Sequence, residues 1–124
     1  MEESKLKIAI TTTGREFKSN ISPVFGRSPY ILIVDTDNNE IRSVTDIENP
    51  ARFEKGAGNL ASEFLVKQGI ETLISGEMGP IAFHILKNNG ITVYKAASVD
   101  AEKNIKLLFK GKLKEVTSLS SGYP

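Results

Sequence analysis

Two kinds of apolar spacing follow one another along this chain, and the change between them constrains the fold more than any other feature. Up to residue 47 the apolar runs are short, β-prone and separated by turn residues; from residue 56 each β-prone run alternates with an apolar stripe at helical spacing. Leu6-Lys7-Ile8-Ala9-Ile10 reads as a strand, buried on both faces, that ends near Thr12 in Thr11-Thr12-Thr13-Gly14. Residues 15–29 hold no sustained period and are interrupted by Pro23, Gly26 and Pro29, so they read as a long loop, a kind of segment often tied to function. Tyr30-Ile31-Leu32-Ile33-Val34 is a second strand, Asp35-Thr36-Asp37-Asn38-Asn39 has the composition of a hairpin turn, and residues 41–47 alternate imperfectly as a third strand.

Beyond Glu48-Asn49-Pro50, Gly56-Ala57-Gly58 opens a helix on which Leu60, Ala61, Phe64 and Leu65 recur until Gly69. Thr72-Leu73-Ile74-Ser75 is a short buried strand. Gly76-Glu77-Met78-Gly79-Pro80 then turns into a second helix striped by Ile81, Ala82, Ile85 and Leu86, with proline where the first turn tolerates a missing N–H. Asn88-Asn89-Gly90 stops it, Ile91-Thr92-Val93-Tyr94 is a fifth strand, and Asp100 or Ser98 caps a third helix carrying Ala101, Ile105 and Leu108 to Gly111. The order β-β-β-α-β-α-β-α predicts an α/β fold with a mixed sheet: an antiparallel meander on one side and right-handed parallel crossovers on the other. A single domain over residues 1–116 is expected, with a frayed polar tail over 117–124.

Charge narrows the function classes. Sixteen basic residues against fifteen acidic ones leave +1, so no global field draws the chain to nucleic acid or to an anionic membrane. The start, Met1-Glu2-Glu3-Ser4-Lys5, does not read as a signal peptide and no stretch approaches a membrane span, which makes a cytoplasmic location the expectation. Cysteine is absent, which removes disulfides, thiol catalysis, thiolate zinc sites and the usual iron–sulfur ligands together.

In open α/β sheets ligands bind beyond the carboxyl ends of the parallel strands, an edge that here gathers residues 11–15, 76–80 and 96–98. Helix N-termini at Gly56-Ala57-Gly58 and at Gly79 present N–H groups to an anion, and arginines add full charge. The candidate ligand-binding residues are therefore Thr12, Arg15, Phe25, Gly26, Arg27, Gly56, Gly58, Gly76, Met78 and Gly79. Neither glycine segment is a dinucleotide fingerprint or a P-loop, and glycines also serve as turn and close-packing residues. Gly79 is expected to be limited by packing or by an unusual backbone conformation. For a metal, the soft or nitrogenous donors are Met78 and His84, the only histidine. His84 lies roughly 130° from the centre of its helix's apolar stripe, where a packing or solvated role competes with ligation, as gap-filling does for Met78.

Ser22-Pro23-Val24-Phe25-Gly26-Arg27-Ser28-Pro29-Tyr30, Glu48-Asn49-Pro50, Gly56-Ala57-Gly58, Gly76-Glu77-Met78-Gly79-Pro80-Ile81-Ala82-Phe83 and Asn89-Gly90-Ile91-Thr92-Val93-Tyr94 together resemble the nitrogenase iron-molybdenum cofactor biosynthesis family, that of NifX and the C-terminal domain of NifB. The resemblance runs from about residue 7 to 113. It implies a ribonuclease-H-like three-layer α/β/α sandwich with a five-stranded mixed sheet, and a protein that binds or passes on an iron-sulfur or iron-molybdenum-type cluster among cofactor-assembly proteins. Many members carry histidine just before the Phe-Gly pair and before the glycine turn, where this chain has Val24 and Lys55. The remaining donors suit a loosely held anionic cluster, gripped by helix N-termini and arginines. The expectation is a non-enzymatic carrier or scaffold. The alternatives are a metal-free small-anion binder or interaction module and, third, a ribonuclease-H-like nuclease, whose chemistry needs central-strand carboxylates that residues 6–12 lack.

Overall fold

Strand β1, Lys5–Thr12, runs through the interior of the sheet, antiparallel to β2, Tyr30–Asp37, on one side and parallel to β4, Thr72–Ser75, on the other. The computed structural model describes residues 5–119. Their remaining elements are β3 (Glu40–Glu48), α1 (Ala57–Lys67), α2 (Pro80–Asn88), β5 (Thr92–Lys95), α3 (Ala101–Phe109) and β6 (Lys114–Glu115). The sheet order is β3-β2-β1-β4-β5-β6. Strands β4 and β5 are parallel and joined through α2, whereas β6 returns antiparallel to β5.

Both faces of this sheet are covered, which is why β1 is apolar at successive positions instead of alternating. Ile8 and Ile10 pack with Leu32, Val34 and Ile74 beneath Ala101 and Ile105 of α3. Ala9 points the other way, into a cluster with Ile31, Ile33 and Leu73 beneath Ala61 and Leu65 of α1 and Phe83 and Leu86 of α2. Ile8, Ala9 and Ile10 are fully buried.

The hairpin turn is two residues long. Asn38 and Asn39 both have positive φ, 52° and 63°, the left-handed pair that matches the twist of antiparallel strands, and asparagine tolerates it. So short a turn lets β2 continue to Asp37 through residues whose composition suggests a loop. Asp100 caps α3, its carboxylate accepting from Lys103 N at 2.8 Å. Ser98 is held instead by fully buried Asn104, which accepts from the amides of Ala97 and Ser98 and donates to the carbonyls of Ser98 and Asp100.

Among the described residues the sheet has six strands, not the expected five. The extra one, β6, is two exposed residues long, too short for any periodicity, and exists because buried Leu113 anchors the chain beside Tyr94 and Lys95. Beyond it Val116 N donates to Val93 O, and Val116 and Leu119 pack against the core, in a region whose composition predicts a tail fraying from residue 117. Residues 120–124 of that predicted tail lie outside the described residues.

Ile8→Asp is expected to prevent folding, because an unpaired carboxylate at a fully buried central position costs on the order of 4 kcal/mol or more, most of the stability of a small domain. Circular dichroism melting checks this: a cooperative transition at the wild-type temperature would show that β1 is not central.

Candidate functional site: a hollow between two helix N-termini

The loop joining β1 to β2 is fastened over the carboxyl end of β1 by its own backbone. Ser22 N donates to Thr11 O, Glu77 N to Pro23 O, and Phe25 N to Glu77 O. Two buried polar side chains complete the fastening. The Ser28 hydroxyl lies 2.9 Å from Thr12 O and 2.6 Å from Tyr30 O, and Asn49 donates from Nδ2 to Gly26 O and Ser28 O while accepting from Ala51 N. Asn49 therefore pins both Gly26 and the chain leading to α1, and its burial is affordable because its amide is satisfied at both ends.

Glycines sit where this loop meets the rest of the fold. A Cβ on Gly26 would fall 2.4 Å from Gly58 N, so the loop lies directly against the first turn of α1; a Cβ on Gly76 would fall 2.5 Å from Ser22 O. Gly56, at the N-cap of α1, has φ 73°. Ser62, fully buried, lies 2.9 Å from Gly58 O and 3.2 Å from Ala82 O, and so couples the first turns of α1 and α2.

The result is a hollow of about 400 Å³ onto which both helices open, within the range of small-ligand sites. Its walls include Phe25, Gly26 and Arg27 from the loop, residues 56–59 of the α1 start, and residues 77–82 of the α2 start. Both N-caps, Gly56 and Gly79, are glycines and supply no side-chain cap, and neither first turn carries an acid. The N–H groups of Ala57, Gly58 and Asn59, and of Ile81 and Ala82, have no intrahelical acceptor, and the two helix dipoles place partial positive charge at the same hollow. Arg27 stands at its edge, its Nη1 donating to Arg52 O and Glu54 O, which also ties down the approach to α1. Met78, partly buried against the core, separates this hollow from a second one of about 290 Å³ that includes Gly76, Tyr94, Lys95 and Leu119. Glu77 also lines both hollows and pairs with Lys95 at 3.7 Å.

Of the predicted residues, Phe25, Gly26, Arg27, Gly56, Gly58, Met78 and Gly79 meet at this hollow. Thr12 does not: it is fully buried, and its hydroxyl donates to Gly14 O to close the turn after β1. Arg15 is drawn towards the β2–β3 hairpin, its guanidinium over the Tyr30 ring, with Nε on the Tyr30 hydroxyl and Nη1 on Asp46. The Tyr30 hydrogen bond and charge, with the carboxylates of Asp46 and Glu48, raise its pKa above the ordinary arginine value. Gly76 lines the second hollow, and exposed His84, beside Phe83, lines neither. Gly79 is not packing-limited or conformationally special: nothing lies within 4 Å of its would-be Cβ, and φ −79°, ψ 164° is ordinary extended backbone for an N-cap. Among the described residues, the glycines pressed against neighbouring backbone are Gly26 and Gly76. Asn49 and Ser62 are not among the predicted residues; a polar residue before proline signals a turn for the first, but for the second only the helix pairing reveals the contact.

The family described as dinitrogenase iron-molybdenum cofactor matches residues 4–111, and the chain belongs to it. It is 34% identical over 112 residues to the protein MJ0580 of Methanocaldococcus jannaschii, covering 89% of this chain and 95% of that one. The NMR structure of TM1290 from Thermotoga, provisionally designated a NifB protein, has a TM-score of 0.79 at 30% identity, over 94% of this chain and 98% of its own. The apo form of the orange protein from Desulfovibrio gigas shares the fold, with a TM-score of 0.82 at 24% identity over 93% of this chain and 96% of that one. No helix among the described residues is long and apolar enough to cross a membrane.

Gly26→Ala is expected to lower stability by about 1–3 kcal/mol, since its methyl group meets α1 backbone, whereas Gly79→Ala should stay within about 0.5 kcal/mol. Urea midpoints of the two variants decide it, and equal shifts would contradict this packing.

Proposed function

We propose that this protein is a non-enzymatic carrier or scaffold that holds an iron-sulfur or iron-molybdenum-type cluster, or its precursor, in the hollow between α1 and α2. The observation that carries the reading is the opening of two helix N-termini, without capping side chains or first-turn acids, onto one hollow edged by Arg27 and Met78. Membership of the family supports the class of cargo. The donor set suits an anionic, sulfide-coated cluster held as a whole. Backbone N–H groups and Arg27 offer hydrogen bonds to its outer atoms, and Met78 and Phe25 cover a less polar side. No group of three or more histidine and carboxylate side chains is gathered among the described residues, so the grip is one of charge and shape and suits a cargo that must be released.

The order β3-β2-β1-β4-β5 with helices on both faces supports a ribonuclease-H-like class. A nuclease is disfavoured because β1 carries no carboxylate along its central, buried residues. Absence of histidine from the hollow favours, as a second reading, a metal-free binder of a small anion. Iron and molybdenum content of protein purified without oxygen separates the two, since reproducible metal argues against this second reading.

Titration with a synthetic iron–sulfur or molybdenum–iron–sulfur cluster anion under anaerobic conditions, followed by gel filtration, should leave near-stoichiometric metal on the wild type. Arg27→Ala and Met78→Ala should each weaken retention about tenfold, while Lys110→Ala with Lys112→Ala should leave it unchanged apart from general electrostatics. His84→Ala is expected to be silent. No retained metal on the wild type would sink the proposal, and loss confined to the Lys110 and Lys112 changes would move the site to another face.

A further inference from the structure

The two edges of the sheet are unlike. The β6 edge is two residues long, whereas β3 presents nine, nearly all exposed, with a backbone paired only to β2 among the described residues. An edge strand of that length is a template for pairing with another chain, and the usual deterrents are proline, bulges and charged side chains, lysine above all; the charges on β3 are Glu40, Arg42, Asp46 and Glu48. Strand β3 contains neither proline nor lysine. Its bulge lies near one end, where Asp35 pairs with Ser43 and Thr36 with Ile41, leaving Arg42 over and residues 43–48 in regular register.

The sequence of the edge, Glu40-Ile41-Arg42-Ser43-Val44-Thr45-Asp46-Ile47-Glu48, is complementary to itself read backwards. Folding it about Val44 sets Val44 against Val44, Ser43 against Thr45 and Arg42 against Asp46, twice over. A shift of one residue either way sets Asp46 against Ile41 or Ser43 in place of Arg42. Val44 and Asp46 pair with Val34 and Leu32 of β2, so both lie on the face that carries α3, and Arg42 follows at the bulge. Arg42 and Asp46 keep 58% and 41% of their side-chain exposure despite weak surface pairs with Glu40 and Arg15, and Val44 is 37% exposed. These are the contacts that stabilise antiparallel pairs: an apolar pair at the axis flanked by opposite charges on one face. The only like-charged pair, Glu40 with Glu48, falls at the ends beyond the bulge.

We propose that the β3 edge is a homodimer interface, in which β3 pairs antiparallel with β3 of a second copy about a two-fold axis at Val44. The partner is a second copy because the complementarity is of the strand with itself, and the symmetry closes on a pair. The interface is a strand edge and not a broad face, so the dimer is weak and depends on concentration. It also leaves the hollow between α1 and α2 free, since none of its lining residues belongs to β3.

Sedimentation equilibrium over a concentration series should show wild-type protein passing from monomer to dimer. Arg42→Glu should weaken association about tenfold or more, and Arg42→Glu with Asp46→Arg should restore it to within about threefold, because the swap recreates the pair across the axis. Amide hydrogen exchange of wild-type residues 43–46, slowing as protein concentration rises, gives a reading that needs no variant. A wild type that stays monomeric up to about 1 mM, with edge exchange independent of concentration, overturns the proposal. So does a dimer that Arg42→Glu leaves intact, or one that the double swap fails to restore while both variants melt as the wild type does.

Discussion

Burial of β1 on both faces is the constraint from which the rest of the structure follows. A strand with Ile8 and Ile10 on one side and Ala9 on the other needs a layer above and a layer below, and one chain of this length can supply both only by wrapping helices around a sheet. The chain meets that need asymmetrically. Helices α1 and α2 take one face and pack on each other, while α3 takes the other face together with Phe17 and Ile21 of the β1–β2 loop and Leu113. The pairing of α1 with α2 is what brings two helix N-termini to one hollow.

The hollow is built by close approach, not by long side chains. Gly26 lies against Gly58, Gly76 against the Ser22 and Pro23 carbonyls, and Ser62 reaches from α1 to the Ala82 carbonyl of α2. Asn49 holds the loop in place through hydrogen bonds that satisfy its buried amide. Such a frame brings the N–H groups of two first helical turns to the hollow, beside the side chains of Arg27, Asn59 and Glu77. Those N–H groups are fixed in direction, carry partial positive charge and cannot be titrated away, which suits an anion of appreciable size better than a bare cation. The chemistry proposed for the site follows from that: a cargo gripped by its outer atoms, with Arg27 adding charge and Met78 a polarizable wall.

Much of the architecture was legible along the chain because local signals agreed with the tertiary arrangement. The switch from β-prone runs to helical stripes marks the three helices. Pro80 and Asp100 mark two helix starts, and the paired asparagines mark the hairpin. Legibility failed where the deciding contact was long-range. The two residues of β6 carry no pattern of their own and become a strand only beside β5. Gly79 resembles the other glycines of its motifs, yet among the described residues only Gly26 and Gly76 would press a Cβ against backbone. Arg15 reads as a charge at the ligand edge, but Tyr30 and Asp46 compete for it and draw it to the hairpin.

What the sequence by itself determined is the kind of fold and the family, because apolar periodicity, helix starts and turn residues are properties of neighbours along the chain, and the family's blocks are contiguous words. It also ruled out cysteine chemistry. Only the tertiary structure decided which of the candidate residues share a hollow. Thr12, Arg15, Gly76 and His84 fall outside the one between α1 and α2, and Asn49 and Ser62 enter as the groups that hold it. The physical reason is that a site is set by distances across elements. Those distances depend on how closely backbones approach and on which buried polar groups find partners, and neither quantity has a period in the sequence.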